Sequence, residues 1–466
     1  MKIKNILLST FVLGAMSLTS CNLDTEPDFA VPVDVAAQYP QDQLAGVLSN
    51  MYSIDYYGRN AYVLADVGTD DIVQGINTGG RFEFESRMEK FEAMSISGGS
   101  TYDPMYEAIE NANQIINNPN TDGNIRGQAY FLRALATFDA VKFYSDVPIA
   151  TEPTIDLDEA LGNNMPNVDA AKVYAQVELD LDSAFNLITN TDNVNFPSRN
   201  AVEALRTRLY LFMAVESNEM PPAEAYQKVI DAADAVQGVT LLDTTNYPTY
   251  FRSKASNIET IFEIAVDPVQ SRGSNNFGYV YFFDGTTGYG AYTANPEFVD
   301  LYDDSDIRKS LFVTIDSVNL PGYKYIYKFD QQEGVTALHS PKILRYSEVL
   351  LNKAEALAHL GDNTAAAAII DLIRKNRYTN PNRATPATGD TTDVYLERRK
   401  ELAYEGHRMF DLRRHGQPVT LVRLVDGAVN DDVQIFKTVP AGDKQFWYPI
   451  PQRPILANPN LVQTKY

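Results

Sequence analysis

The stretch IRGQAYFLRALATFDAVKFY (125–144) sets the fold class. Ala129, Leu132, Leu135, Ala136 and Val141 return at helical spacing and share one face. Its small Ala residues let a second helix approach closely. Further along, DAAKVYAQVELDLDSAFNLI (169–188) opens on Asp169 as an N-cap and repeats Val173, Val177, Leu181 and Phe185. SRNAVEALRTRLYLFMAV (198–215) runs through Ala201, Leu205, Leu209 and Phe212, and PAEAYQKVIDAADAV (222–236) follows. LRYSEVLLNKAEALAHL (344–360) stops at Gly361, and another helix is predicted over 364–378. TDVYLERRKELAYEGHRMFDLRR (392–414) reads as one long last helix ending before Gly416 and Pro418. Several of these come in pairs joined by short turns. They predict a mainly α chain, a tetratricopeptide-like helical-pair scaffold without a clean repeat, with an irregular all-α bundle as the alternative.

Residues 240–335 break this pattern, being rich in Tyr, Phe, Gly and Asn. IETIFEIAVDP (258–268) alternates like a short strand, and GYVYFFDGTTGYGAY (278–292) follows. An irregular insertion of loops and short strands is expected there. Residues 379–391 read as a polar loop, and 417–439 as a strand pair turning at Asp426-Gly427. FWYPIPQRPILANPNL (446–461) carries four Pro and is expected to be mostly extended or turn, with Trp447 in the core.

The chain has 466 residues, with 39 Lys+Arg against 61 Asp+Glu, for a formal net charge of -22. That balance argues against a nucleic-acid partner and against adhesion to anionic lipid through a basic patch. The single Cys excludes an internal disulfide framework and a Cys-rich metal site. Its position is informative. In MKIKNILLSTFVLGAMSLTSC, Lys2 and Lys4 precede a mostly apolar run from Ile6 to Leu18, then Thr19, Ser20 and Cys21. This looks like a lipobox. Residues 1–20 are expected to be a lipoprotein signal peptide, with Cys21 lipidated by palmitate-type chains that anchor it in membrane lipid. Residues 21–42 hold Asp24, Glu26, Asp28, Pro27, Pro32 and Pro40 and read as an acidic, Pro-containing tether. Residues 43–466 then form one domain, within which 240–335 is the variable Tyr/Gly-rich insertion.

Enzyme motifs fail. There is no HExxH, no Walker loop, no GxGxxG and no GxSxG, and the four His are not spaced as ligand pairs. NNPNTDGN (117–124) imitates a calcium loop from Asn118, but Ala129 stands where the bidentate Glu is required. Asp303, Asp304 and Asp306 fit a cation or, more simply, a solvated acidic turn. Glu397, Glu401 and Glu405 form a row that could pass for catalytic carboxylates. The surrounding Arg398, Arg399, Arg408, Arg413 and Arg414 make charge-paired packing the better account. No catalytic residue, metal ligand or cofactor is expected.

Aromatic density is the remaining signal. Tyr279, Tyr281, Phe282, Phe283, Tyr289 and Tyr292 alternate with Gly278, Gly285, Gly288 and Gly290. Tyr56, Tyr57, Arg59, Asn60 and Tyr62 form a second cluster, followed by Asp66, Asp70 and Asp71. A Tyr face stacks on a sugar or a peptide side chain, while amides, carboxylates and Arg meet hydroxyls. The candidate ligand residues are therefore Tyr56, Tyr57, Arg59, Asn60, Asp66, Asp71, Tyr281, Phe283, Tyr289 and Tyr292. The bland alternative for each ring is a place in the core.

Four ordered segments carry a resemblance. They are RGQAYFLRALATFDAVKFYSDVPI (126–149), LRYSEVLLNKAEALAHLGD (344–362), ERRKELAYEGHRMFDLRRHG (397–416) and FWYPIPQRPILANPNLVQ (446–463). Together they resemble the SusD/RagB family of outer-membrane nutrient-binding lipoproteins. Arg453 and Pro454 depart from the small or polar residue and acid usual at that point. The resemblance implies a SusD-like fold of tetratricopeptide-like pairs bearing variable loops. It implies a partner, a SusC-like TonB-dependent transporter over which the lipoprotein acts as a lid. It implies an outer-membrane location facing the cell exterior, with Asp24 and Glu26 resembling the family's export signal. The implied function is non-catalytic binding of oligosaccharide and its delivery to the transporter, in polysaccharide utilisation and nutrient uptake. The alternatives are a peptide-binding member of the family, a glycoside hydrolase or a purely structural lid.

Overall fold

The computed structural model describes residues 37–74, 79–90, 101–154, 164–190, 193–254, 258–315, 323–424, 433–463 and 465. The leader, Cys21, most of the tether and the Asp426-Gly427 turn lie outside these residues. The helices are α1 (Pro40–Met51), α2 (Asn60–Asp66), α3 (Tyr102–Asn117), α4 (Gly123–Tyr144), α5 (Ala170–Leu187) and α6 (Arg199–Glu216). They continue with α7 (Pro222–Ala235), α8 (Tyr346–His359), α9 (Asn363–Arg377), α10 (Thr391–Glu401) and α11 (Arg408–Arg414). Side chains set their starts. The carboxylates of Asp122, Asp169, Asp362 and Asp390 and the hydroxyl of Ser198 each accept a backbone N–H of the first turn. The Asn118–Asn124 segment is thus a turn leading into a cap, as the failed calcium match implied.

Each long helix packs on its successor: α3 on α4, α4 on α5, α5 on α6, α6 on α7, α7 on α8 and α8 on α9. This is the expected helical-pair scaffold. Its core is continuous, with Phe138 of α4 meeting Phe212 of α6 edge-to-face at 5.2 Å. Phe131 of α4 meets Phe262 at 5.3 Å and so ties the helices to the insertion.

Strands are short. They are β1 (Ile72–Gln74), β2 (Thr260–Glu263), β3 (Tyr292–Ala294), β4 (Phe312–Thr314), β5 (Lys324–Ile326), β6 (Gln331–Gln332), β7 (Val335–Thr336), β8 (Lys342–Arg345), β9 (Val419–Leu424) and β10 (Val433–Val439). A six-stranded sheet runs β10-β9-β1-β3-β5-β4. Val73 of β1 faces Thr293 antiparallel and Val422 parallel. The predicted 417–439 pair is therefore one edge of a sheet that also takes strands from the N-terminal part and the insertion.

The structure departs from the sequence expectations at several places. Residues 392–414 are not one helix. The chain leaves α10 after Glu401, and Tyr404 and Gly406 take left-handed φ of 63° and 79°. Asp66 then accepts the N–H groups of Gly406 (2.8 Å) and Arg408 (3.2 Å), which starts α11 in a new direction. The Pro-rich end is mostly extended or turn, as expected, and includes one short helix, Gln452–Ala457. Pro454 fits because it lies in the first turn, where the missing N–H has no helical acceptor. Trp447 is only half-buried, beneath the Arg413 guanidinium at 4.8 Å. Helix α1 also begins inside the predicted tether, with Pro40 at its first position.

The Glu397, Glu401 and Glu405 row is buried and ion-paired. Arg345 reaches Glu259, Glu401 and Glu405, each at 2.7 Å. Arg377 reaches Glu259 at 3.0 Å and Glu401 at 2.9 Å. Arg308 reaches Asp306 at 2.8 Å, Glu397 at 2.7 Å and Glu401 at 2.9 Å. This network joins β2, β8, α9, α10 and the insertion. Asp303 pairs with Arg383 and Asp304 with Lys309, so the Asp303–Asp306 turn is satisfied by cations of the chain itself.

Candidate functional site

The aromatic rings of the sequence divide into structural and accessible sets. Tyr56 and Tyr57 are buried and stacked with ring centroids 4.3 Å apart. Both hydroxyls donate to Oδ2 of Asp139, at 2.7 and 2.5 Å, and Lys142 donates to its Oδ1 at 2.8 Å. Asn60 is buried as well, its amide donating to Asp55 at 2.9 Å. Asp66 is buried as the cap described above. Burial pushes its carboxyl up to about 8, against the Gly406 and Arg408 N–H groups that lower it. Asp71 is buried and accepts from Arg399 Nε at 2.6 Å. Tyr281 packs against Phe277 and Tyr404 with no exposed surface. Tyr292 of β3 is buried and donates to the Arg81 carbonyl at 2.5 Å. These seven side chains are committed to the interior and do not form a ligand surface. The reason is tertiary for most of them: Asp139 of α4 meets Tyr56 and Tyr57, the Gly406–Arg408 turn meets Asp66, Arg399 meets Asp71 and the Arg81 carbonyl meets Tyr292.

Arg59, Phe283 and Tyr289 remain partly exposed. Around them the structure assembles a patch that the sequence does not show as a unit. The backbone N–H of Tyr289 donates to the Tyr279 carbonyl at 2.9 Å, and the two half-buried rings lie 5.5 Å apart. Gly288 makes this turn possible. Its φ is +97°, and a Cβ there would lie 2.0 Å from the Phe282 carbonyl oxygen. Below it, Phe283 leans on Tyr325 at 5.3 Å and its carbonyl accepts from the Tyr327 hydroxyl at 2.9 Å.

One arginine borders the Tyr pair, and two more lie near it in the fold. Arg81 lies over the Tyr289 ring at 3.7 Å. It follows Gly79 and Gly80, both at positive φ, and its carbonyl is held by Tyr292. Arg59 lies over Phe82 at 5.4 Å and donates from Nε to the Asn60 amide oxygen at 3.0 Å. Arg272 lies over Tyr52 at 4.6 Å, against Gly58. Burial lowers the Arg59 guanidinium; Asp55 and Tyr289 raise it, while Arg81 and Arg272 lower it further. The groups therefore lie within electrostatic reach of one another. Arg81, Arg272 and Tyr279 were absent from the candidate ligand residues. Tyr279 shared the aromatic-density signal of its segment, while the only signal of Arg81 and Arg272 is a basic residue beside Gly in TGGRF and QSRGS, which loops generally share.

Two open hollows lie elsewhere, of about 330 and 440 Å³. One is floored by Phe298, Leu301 and Arg399, the other by Tyr378, Leu396 and Lys400. Their cations are already matched, Arg399 by Asp70, Arg374 by Asp393 and Lys400 by Asp306. Among the described residues no group of three or more His, Cys, Asp or Glu is arranged to hold a metal ion.

Comparison with known proteins adds a family. Residues 319–466 match the SusD family, and residues 22–211 match a family described as starch-binding associating with outer membrane. SusD-like protein P38 of Formosa agariphila is 25% identical over 93% of this chain and 95% of its own. A SusD superfamily protein of Bacteroides thetaiotaomicron superposes with a TM-score of 0.78 at 24% identity, covering 93% of this chain and 99% of that one. A SusD-like carbohydrate binding protein of Bacteroides vulgatus superposes with a TM-score of 0.75 at 23% identity, covering 91% and 97%.

Proposed function

The chain belongs to the SusD/RagB family, and from that premise we propose that it binds oligosaccharide without cleaving it and hands it to a SusC-like TonB-dependent transporter of the outer membrane. The observation that carries the reading is the half-exposed Tyr279–Tyr289 pair, rimmed by Arg and mounted on a rigid helical scaffold. A sugar ring offers an apolar face to such rings and hydroxyls to the surrounding donors. The loops supply selectivity and the helical pairs hold them still. In this reading residues 1–20 are the leader, Cys21 carries the lipid that anchors the protein in the outer membrane facing the exterior, and 21–42 is the tether. Residues 43–466 are then a single domain with 240–335 as its variable part. The carboxylates of the Glu397–Glu405 row work as ion pairs, so no acid pair is left there for hydrolysis.

The test is calorimetric titration of the chain lacking residues 1–21 with panels of glycans and peptides. The core begins at Leu44, so this protein keeps every core residue. A glycan should bind and remain intact after prolonged incubation. Tyr289→Ala should weaken it by about fivefold to tenfold, the equivalent of about 1 kcal/mol of ring stacking. Peptide binding with no glycan response, or hydrolysis of the glycan, would overturn the reading.

A further inference from the structure

In this acidic chain the buried arginines face carboxylates: Arg133 with Asp180, Arg208 with Glu348, Arg377 with Glu259 and Arg414 with Glu355. Arg59 and Arg272, beside the Tyr279–Tyr289 patch, depart from that pattern. Among the described residues no carboxylate lies within salt-bridge distance of Arg59 or Arg272. Arg59 uses one N–H on the Asn60 amide. Nη1 of Arg272 is buried between Tyr52 and Gly58 with no hydrogen-bond acceptor. Arg81 completes the group over Tyr289. Asp55 is the acid that faces Arg59, and it is held by the Asn60 amide. At Arg59 and Arg272 donors therefore outnumber the acceptors that meet them. Guanidinium groups only donate, whereas neutral sugar hydroxyls seek both donors and acceptors. A carboxylate or sulfate only accepts, and it takes two parallel N–H bonds from one Arg fork.

We propose that this patch selects anionic saccharides, with a uronate carboxylate or a sulfate ester held by Arg59 and Arg272 while the sugar ring lies against Tyr279 and Tyr289. The inference rests on the glycan-binding reading and adds the ligand's charge to it. The chain's net charge of -22 repels polyanions at long range. Recognition must then come from short, charge-assisted bonds at this patch. Asp55 limits how many anionic groups fit beside Arg59, which favours one anion per sugar ring over a densely charged polymer.

The test compares matched probes by calorimetry on the chain lacking residues 1–21. The probes are short oligogalacturonates against their methyl esters, and O-sulfated against unsulfated galacto-oligosaccharides. At least one acidic probe should bind about tenfold or more tightly than its neutral counterpart. A preference in the first pair alone identifies a uronate site, and in the second pair alone a sulfate site. Arg59→Gln and Arg272→Gln, made singly and together, should move the acidic-to-neutral ratio toward one. Using both singles guards against one of them failing to fold, which circular dichroism reports. Equal binding of acidic and neutral probes, or an acidic preference that survives the double variant, overturns the inference and leaves glycan binding standing. No binding of any saccharide by a folded protein overturns glycan binding itself.

Discussion

Glu401 shows how a single residue is bound to the whole fold. Its carboxylate meets Arg345, Arg377 and Arg308, and its backbone carbonyl accepts from Arg345 Nη2 at 2.7 Å. Burial alone would raise this carboxyl, but Arg377, Arg345 and Arg308 hold it well below the usual range. Glu401→Gln leaves three buried cations short of a counter-charge. It should cost about 3–5 kcal/mol by urea denaturation. A loss under about 1 kcal/mol would show that the cluster is worth no more than surface pairs. The same density of charge made Glu397, Glu401 and Glu405 legible as structural in the sequence, because Arg residues surround them on every side. The fate of Tyr56, Tyr57, Tyr281 and Tyr292 was not legible. A Tyr in a Gly-rich or polar segment reads as exposed, yet each hydroxyl of Tyr56, Tyr57 and Tyr292 finds a partner brought from elsewhere in the chain. Asp139 lies 83 residues from Tyr56, and Arg81 lies 211 from Tyr292.

Among the elements, the break between α10 and α11 is the clearest divergence from periodicity. The apolar spacing of 392–414 continues through the break, so spacing alone predicts one helix. Gly406 was the available warning. Its φ is +79°, and a Cβ there would lie 3.0 Å from Tyr62. Gly406→Ala should therefore destabilise by more than about 1 kcal/mol, by adding strain at a left-handed position and crowding Tyr62. Thermal unfolding of the variant checks this, and an unchanged midpoint would show that the turn relaxes freely. The long helices with an oxygen-bearing cap and a clear stripe were legible to within a residue or two. The strands were less so: β1 and β3 have three residues each, too few for alternation to register.

Across the whole molecule, buried charge predicts an acid limit. Burial raises and ion pairing lowers the carboxyls of Glu355, Glu401 and Asp411; the Arg partners prevail, so all three lie below their usual range. Such groups bind protons more weakly folded than unfolded. Their stabilisation is complete above the ordinary carboxylate range and is lost as the pH falls through the folded values. Asp66 has the opposite sign. Raised to about 8, it costs stability as pH rises from about 4 toward 8 and gives no protection in acid. Urea midpoints should thus fall steeply below about pH 4, and Glu355→Gln should make that limb shallower. A limb of unchanged slope in the variant would place the acid sensitivity elsewhere.

The sequence by itself determined the helical scaffold, the position of its lone Cys, the acidity of the chain and the pairing of its charged last helices. These follow from local periodicity, caps and composition, which act over a few residues. Only the tertiary structure decided the six-stranded sheet and which aromatic rings reach the surface. Both depend on contacts between segments hundreds of residues apart, as β1 with β3 and β9 shows. The Arg59, Arg81 and Arg272 patch belongs to that second class. Each Arg is ordinary in its own segment, and only the tertiary structure sets Arg81 over Tyr289 and Arg272 against Gly58, next to Arg59.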